Sequence, residues 1–176
     1  MVDVTSSAWF PVMTLVTGYI MKAVSDRLEH SRTLQREREN RKEMRRIQLA
    51  ERRADFQRQT LLDLQEVLQD FARAAGAAYH ADVMAFKKTG TWAKELVPTE
   101  IDNNILIANR RCLMLGVRVR DESVRNLVES FRTHTNGVSL KSNNKEAQEE
   151  LTMSAQILET LQKRIGELLR KLDDEE

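Results

Sequence analysis

The sequence predicts an all-α protein in which an N-terminal membrane-anchor helix continues into a long charged stalk helix, whose C-terminal part packs into an antiparallel helical bundle. Glycine and proline are scarce, with six and two among 176 residues, and aromatic residues make up only 5%. A sheet protein would need more turns and more aromatic and β-branched residues. Apolar residues also recur every seven positions over two long segments, which is the spacing of packed helices.

The first element, residues 1–24, contains an uncharged stretch close to the length of a membrane-spanning helix. Its candidate anchoring side chains are Trp9, Phe10 and Tyr19, and Lys22 can extend its ammonium group toward the headgroups. Basic residues follow the apolar run, which is the opposite order to a cleaved signal peptide. We expect a single-pass anchor in the cell membrane, with the N-terminus outside and the body in the cytoplasm. A helix lying flat on the bilayer and a buried oligomer contact stay open as alternatives.

Residues 25–53 predict a solvated helical stalk. The segment has no Gly or Pro, is built from strong helix formers, and places opposite charges at helical spacing, as in Glu43 and Arg46. From Lys22 to Arg53 there are eleven Lys or Arg against six Asp or Glu, so binding to anionic lipid is the sharper alternative. The interleaved glutamates and the lack of aromatic platforms argue against a nucleic-acid partner.

A coiled-coil face begins near the end of the stalk and continues to Ala78. A helix this long cannot bury such a face alone, so it must pack against the rest of the chain or against other molecules. We predict that it serves homo-oligomer formation or binding of a protein partner. Gly76 lies among alanines and can be tolerated in this helix at a close helix contact, at a cost of about 1 kcal/mol relative to Ala. The face contains Ile47, Ala54, Leu61 and Leu68, which are spaced by seven, and Leu64 and Phe71, which belong to a second set.

Residues 54–176 predict a four-helix-type bundle interrupted by a loop at residues 87–102. Asp102, Asp121 and Asn143 are the expected N-caps of its second, third and fourth helices, because a side-chain oxygen at that position accepts from a free backbone N–H. The inward-facing apolar sets are Ile105, Ala108, Cys112, Leu115 and Val119 in the second helix, Val124, Leu127, Val128, Phe131 and Val138 in the third, and Leu151, Leu158, Leu161, Ile165, Leu168 and Leu172 in the fourth.

Two smaller features stand above the background of solvated charge. Lys88 and Trp92 lie in a basic, glycine-containing loop, and a Trp there is either an interaction hot spot or a cover for the end of the bundle. Several arginines cluster around the second and third helices, where ion pairs with the stalk glutamates explain them as well as a ligand does. They are Arg110, Arg111, Arg118, Arg120 and Arg125.

The residues that carry catalysis or bind cofactors in other proteins make no recognisable pattern here. The three histidines lie in different elements, and the single cysteine, Cys112, excludes an intrachain disulfide and a paired zinc site. Phosphate-binding glycine motifs and a nucleophile elbow are absent. The sequence therefore predicts no enzyme, no cofactor, no metal and no small-molecule substrate.

Three segments carry a resemblance to other proteins: residues 55–65 (DFQRQTLLDLQ), 108–111 (ANRR) and 165–170 (IGELLR). They resemble uncharacterised bacterial proteins of actinobacterial type, which join a short hydrophobic segment to an Arg/Glu-rich helix and a helical body. The resemblance implies a membrane-associated helical protein and transfers no functional residue. A looser architectural likeness is to the b subunit of the peripheral stalk of rotary ATP synthases, although Pro98 and the later helix breaks depart from that uninterrupted rod.

These observations favour a membrane-anchored helical scaffold or interaction protein that acts through coiled-coil and bundle contacts in the cytoplasm. The alternative is a membrane-active effector or pore-type protein whose N-terminal helices oligomerise in the bilayer, since Thr14, Thr17 and Gly18 would allow close helix approach in lipid. An enzyme with a site inside the bundle is the least favoured class.

Overall fold

The computed structural model describes the backbone of residues 9–93 and 96–174, and the side chains of residues 21–22, 33–93 and 96–174. The described residues form helices and no strands, and four helices pack together, which confirms the all-α prediction. The helices are α1 (Trp9–Thr89), α2 (Thr99–Gly116), α3 (Glu122–Gly137) and α4 (Asn144–Asp174), with a 3-10 turn at Val138–Leu140 between α3 and α4.

The chain divides into two compact units, residues 1–50 and residues 51–176. In the first unit, every side chain that the structure describes is exposed to solvent. Two ion pairs run along the helix there: Glu37 with Arg41, at 3.6 Å, and the expected pair of Glu43 with Arg46, at 3.9 Å. Exposed pairs of this kind contribute only a few tenths of a kcal/mol each, so helix propensity is the main local stabilisation of residues 33–50.

The described helices include none with the length and apolar character needed to cross a membrane. The membrane-anchor prediction for residues 1–24 is therefore not supported. Of the residues on which that prediction depended, the side chains of Trp9, Phe10 and Tyr19 lie outside the described part, and Lys22 is exposed. Threonine, serine and glycine residues dilute the apolar character of the segment.

The unit of residues 51–176 is built around one hydrophobic core to which all four helices contribute. Phe71 of α1 and Phe131 of α3 meet edge to face at its centre, with their ring centroids 5.7 Å apart. Heptad positions of α1 and α4 supply much of the remaining core, as the spacing predicts. The fully buried side chains include Leu64, Val67, Leu68, Cys112, Val124, Leu161 and Ile165.

Two of the three predicted helix caps are present. The Asp121 carboxylate accepts from the backbone N–H of Val124 at 2.9 Å, and the Asn143 side-chain oxygen accepts from the N–H of Glu146 at 2.9 Å. The prediction for α2 is wrong, because that helix begins at Thr99, with Pro98 at the N-cap and no side-chain cap. Asp102 lies in the first turn instead, where its negative charge interacts favourably with the helix dipole.

The predicted loop at residues 87–102 is shorter in the structure, because α1 continues to Thr89. Gly90 ends the helix by adopting a φ of 73°, which a residue with a Cβ rarely adopts, and its N–H bonds the Phe86 carbonyl at 2.8 Å. Gly76 is not at a close helix contact, since nothing lies within 4 Å of the position that its Cβ would occupy.

Polar side chains also fix the packing of the helices. The buried amide of Gln57 on α1 donates to the Arg118 carbonyl at 3.0 Å and accepts from the Arg120 N–H at 2.9 Å. It thereby satisfies two backbone groups of the segment that joins α2 to α3. At the same connection, Arg164 of α4 reaches the Asp121 carboxylate at 2.8 Å. That hydrogen bond lowers the pKa of Asp121 below its usual range.

Candidate interaction surface

Helix α2 exposes large apolar side chains on the side that faces away from the core. We call this surface the α2 outer face; its members are Leu106, Ile107, Leu113, Met114 and, just after the last helical residue, Val117. Their exposed fractions run from 46% for Leu113 and Met114 to 69% for Val117. Leu106 and Leu113 are seven residues apart, as are Ile107 and Met114, so both pairs lie along the same side of the helix.

The opposite side of α2 is used to build the core. Ala108, Cys112 and Leu115 are buried there, and they follow one another at the spacing of a helix face. The helix is therefore apolar on both sides, although only its inner side is needed for packing in this chain.

The charge along the α2 outer face has one sign. No Asp or Glu occurs between Asn103 and Arg120, whereas Arg110, Arg111 and Arg118 are all exposed. Within residues 51–176, none of these three arginines forms an ion pair with a side chain that the structure describes. The suggested pairing with stalk glutamates stays a prediction. Arg125, by contrast, donates to the carbonyls of Val119 and Arg120, both at 2.8 Å. Arg125 thus has a structural role, whereas Arg110, Arg111 and Arg118 lie exposed beside an apolar surface, and Arg120 is exposed as well.

A groove of about 380 Å³ lies between α1 and α2, next to the α2 outer face. Small side chains, among them Ala74, Ala77 and Ala108, keep the groove open, and Ile107 belongs both to it and to the outer face. Its polar lining includes Arg111 of α2 and an exposed ion pair on α1, in which Arg73 and Asp70 are 3.4 Å apart. The remaining lining residues are Val67, Ile101 and Asn104.

Cys112 lies beneath this surface and has no solvent exposure. Burial raises the pKa of its thiol to about 12, against the smaller opposing effects of Arg132 and Arg111. The thiol is therefore protonated at neutral pH and acts as a packing group rather than as a nucleophile.

The structure separates the residues that the sequence predicts for a self-association or partner face. Leu61, Leu64, Leu68 and Phe71 are buried in the core of their own chain, and Ala54 is half-buried. Of that set only Ile47, in the first compact unit, is exposed, at 44%. The four buried side chains stabilise the fold of their own chain.

The predicted interaction loop is tied to the bundle through its Trp. The Trp92 ring nitrogen donates to the Lys141 carbonyl at 3.1 Å, and the ring lies 6.0 Å from the rings of both Tyr79 and Phe86. Lys88 is exposed. This geometry supports the interpretation that Trp92 covers the end of the bundle.

A second polar cluster joins α3 to α4. Glu150 accepts from Lys141 at 2.8 Å and contacts His134 Nδ1 at 2.6 Å, and these two contacts, in that order, lower the pKa of its carboxyl group. The hydroxyls of Thr135 and Ser154 hydrogen bond beside it at 2.7 Å and are buried. Because every one of these groups bonds another, the cluster fastens the helices together and exposes no nucleophile.

Within the described part of the chain, no group of three or more His, Cys, Asp or Glu side chains is placed to hold a metal ion. Comparison of the chain with protein families, with curated proteins and with solved structures gave no match. The α2 outer face is therefore the feature from which a function can be inferred.

Proposed function

We propose that this chain is a helical interaction protein that binds a protein partner through the α2 outer face. The exposure of large apolar side chains on a helix whose other side already fills the core carries this proposal. Contiguous exposed apolar surface is costly in water and marks interaction sites on soluble domains.

The other helices of the bundle supply a comparison. In the described residues, α3 exposes no large apolar side chain, and α4 exposes only Met153. Both helices follow the usual pattern of an apolar face inside and a polar face outside. Helix α1 also exposes Phe56, Leu62, Met84 and Phe86 within the bundle, but these are spread over its length, whereas the exposed apolar residues of α2 repeat every seven positions along one side of a single short helix.

Site-specific photo-crosslinking in the native cells tests the proposal with the full chain. A photoreactive phenylalanine analogue would replace Leu106 or Leu113, and a matched control would carry it at Gln156, an exposed position of α4. We expect one discrete protein adduct from both α2 positions and none from the control. The same adduct from all three positions, or no adduct from α2, would contradict the proposal.

The crosslinking result needs support from a variant that removes the apolar surface without touching the core. Leu113→Ser with Leu106→Ser should abolish an adduct formed from position 107, while the far-UV circular dichroism and the urea midpoint stay close to those of the unchanged chain. Loss of the adduct together with loss of the fold would mean that the outer face has a structural role instead.

The location of the protein and its self-association stay predictions. Single-pass anchoring in the cell membrane, with residues 1–24 as the anchor, would leave the full chain in the membrane pellet after carbonate extraction, and a C-terminal reporter on the cytoplasmic side. Homo-oligomer formation would appear in light scattering of the full chain as a mass above the 20.4 kDa of one copy. The pore-type alternative predicts loss of membrane potential on expression, and an intact potential would remove it.

A further inference from the structure

We propose that the α2 outer face and the adjoining groove bind an acidic amphipathic helix of the partner protein. This inference rests on the proposed function and adds the chemistry of the partner. It predicts a helix whose apolar side chains cover α2, with one of them inserted into the groove and carboxylates next to the arginines.

Charge complementarity indicates that the partner carries negative charge on the surface that contacts α2. Arg110 and Arg111 lie between the apolar residues of the outer face and Arg118 lies at its end, with no carboxylate along α2 from Asn103 onward. A partner covering this face without negative charge would remove these cations from water and leave them unpaired, which is costly. A partner with Glu or Asp beside its apolar residues would pair them and associate faster at low salt.

The groove identifies the shape of the partner. A recess of about 380 Å³ between two helices, with alanines in its walls, accepts side chains that project from a third helix. The apolar pairs Leu106–Leu113 and Ile107–Met114 each extend two turns along α2, which matches the i, i+3, i+4 and i+7 anchors of an amphipathic helix. In the groove itself, Asp70 already pairs with Arg73, whereas Arg111 has no ion-pair partner in the described structure and is available to an incoming carboxylate.

Two other occupants fit this surface less well. If two copies paired through α2 by a two-fold axis close to Arg110, Arg110 and Arg111 of one chain would lie near the same arginines of the other, and like charges in contact are unfavourable. An anionic lipid surface would satisfy the arginines, but a bilayer surface would leave the groove between α1 and α2 unfilled. An acidic amphipathic helix would pair with the arginines and also fill the groove, so the observations favour it over the other two occupants.

Fluorescence anisotropy with the full chain tests the proposal. The probe is a labelled designed peptide of about 20 residues with Leu at amphipathic-helix spacing and Glu elsewhere, and its comparison peptide has Lys in place of Glu. We expect the acidic peptide to bind about tenfold more tightly than the basic one at about 50 mM salt, and the difference to shrink at about 500 mM.

Two matched variant pairs connect that binding to the proposed surface. Arg110→Glu with Arg111→Glu should reverse the preference between the peptides, whereas Arg52→Glu with Arg53→Glu, also consecutive exposed arginines, should leave it unchanged. Filling the groove with Ala77→Trp should weaken binding of the acidic peptide about tenfold, while Ala155→Trp on an exposed position of α4 should have no effect.

Equal or tighter binding of the basic peptide, or no binding of either, would overturn the inference. Binding to vesicles that contain phosphatidylglycerol, lost in the Arg110→Glu with Arg111→Glu variant while neither peptide binds, would identify a lipid surface and also overturn it. These outcomes are separable from the proposed function, since a specific crosslinked adduct from α2 can persist when the acidic peptide fails. In that case a protein docks on α2 but its chemistry differs from the one inferred here.

Discussion

Replacing Gln57 by Leu should destabilise the bundle by about 2 kcal/mol. The Gln57 amide makes two hydrogen bonds to the backbone between α2 and α3, at 3.0 and 2.9 Å, and only 8% of the residue is exposed. Leu keeps a similar volume but leaves the Arg118 carbonyl and the Arg120 N–H without this partner. Each lost hydrogen bond of this kind costs about 1 kcal/mol net.

Urea denaturation of the full chain, followed by circular dichroism at 222 nm, measures this cost. Gln59→Leu is the matched control, because Gln59 is exposed two residues away on the same helix and bonds only Asp63. The control should shift the free energy of unfolding by less than about 0.5 kcal/mol. If Gln57→Leu costs no more than Gln59→Leu at an unchanged m-value, the assigned role of the amide is wrong.

The variant Gln57→Glu makes one of these two hydrogen bonds depend on pH. An ionised carboxylate cannot donate to the Arg118 carbonyl, whereas a protonated carboxyl group can donate to it and still accept from the Arg120 N–H. Its pKa in the folded state should therefore be raised. The variant should approach the stability of the unchanged chain below the unfolded pKa of about 4.3, and should lose stability as pH rises through the folded pKa.

Four further predictions concern other single positions. Gly76→Ala should raise the free energy of unfolding by about 0.5–1 kcal/mol in the same urea assay, because the added methyl group meets nothing within 4 Å and Ala is the better helix former. Gly116→Ala should lower it by about 1 kcal/mol, because the new Cβ would lie 3.0 Å from Val128 Cγ1; combining it with Val128→Ala should cost less than the sum of the two changes. Cys112 should resist Ellman's reagent at pH 8 in the folded chain and react at once in urea, so fast labelling of the folded chain would contradict its burial. Asp82→Asn should stabilise the chain by about 1 kcal/mol at pH 7, because burial raises the pKa of Asp82 and disfavours its charge; that gain should disappear as pH falls below the folded pKa.

Much of the fold follows from local rules that act on few residues. The caps at Asp121 and Asn143 are predictable because each needs only one side-chain oxygen near the first free N–H groups of a helix. The core positions Leu64, Leu68 and Ile165 follow from heptad spacing. The start of α2 is not predictable in this way, since Pro98 provides no cap side chain and Asp102 imitates one a turn later.

The candidate site was missed for a different reason. The sequence pattern of α2 predicts one core-facing stripe, which contains Ala108, Cys112 and Leu115. That stripe alone accounts for the packing of the helix, so the pattern does not point to a second apolar face. Which apolar residues of a helix stay exposed depends on how many neighbouring helices cover it, and that is a property of the tertiary packing. The sequence does contain one signal of the exposed face: α2 has more apolar residues than its core-facing stripe requires, and Leu106 and Leu113 are among the additional ones.

The same reasoning explains why the predicted association face and the observed exposed face differ. The heptad positions of α1 are covered by the other helices of the same chain: Leu61 and Phe71 are 2% and 0% exposed. Folding within one chain precedes binding because its contacts are intramolecular and cost no translational entropy. What is left for a partner is apolar surface in excess of the core's requirement. In this chain α2 carries such surface beside the unpaired charge of Arg110 and Arg111, so a search for the proposed partner should start from α2 rather than from the coiled-coil register.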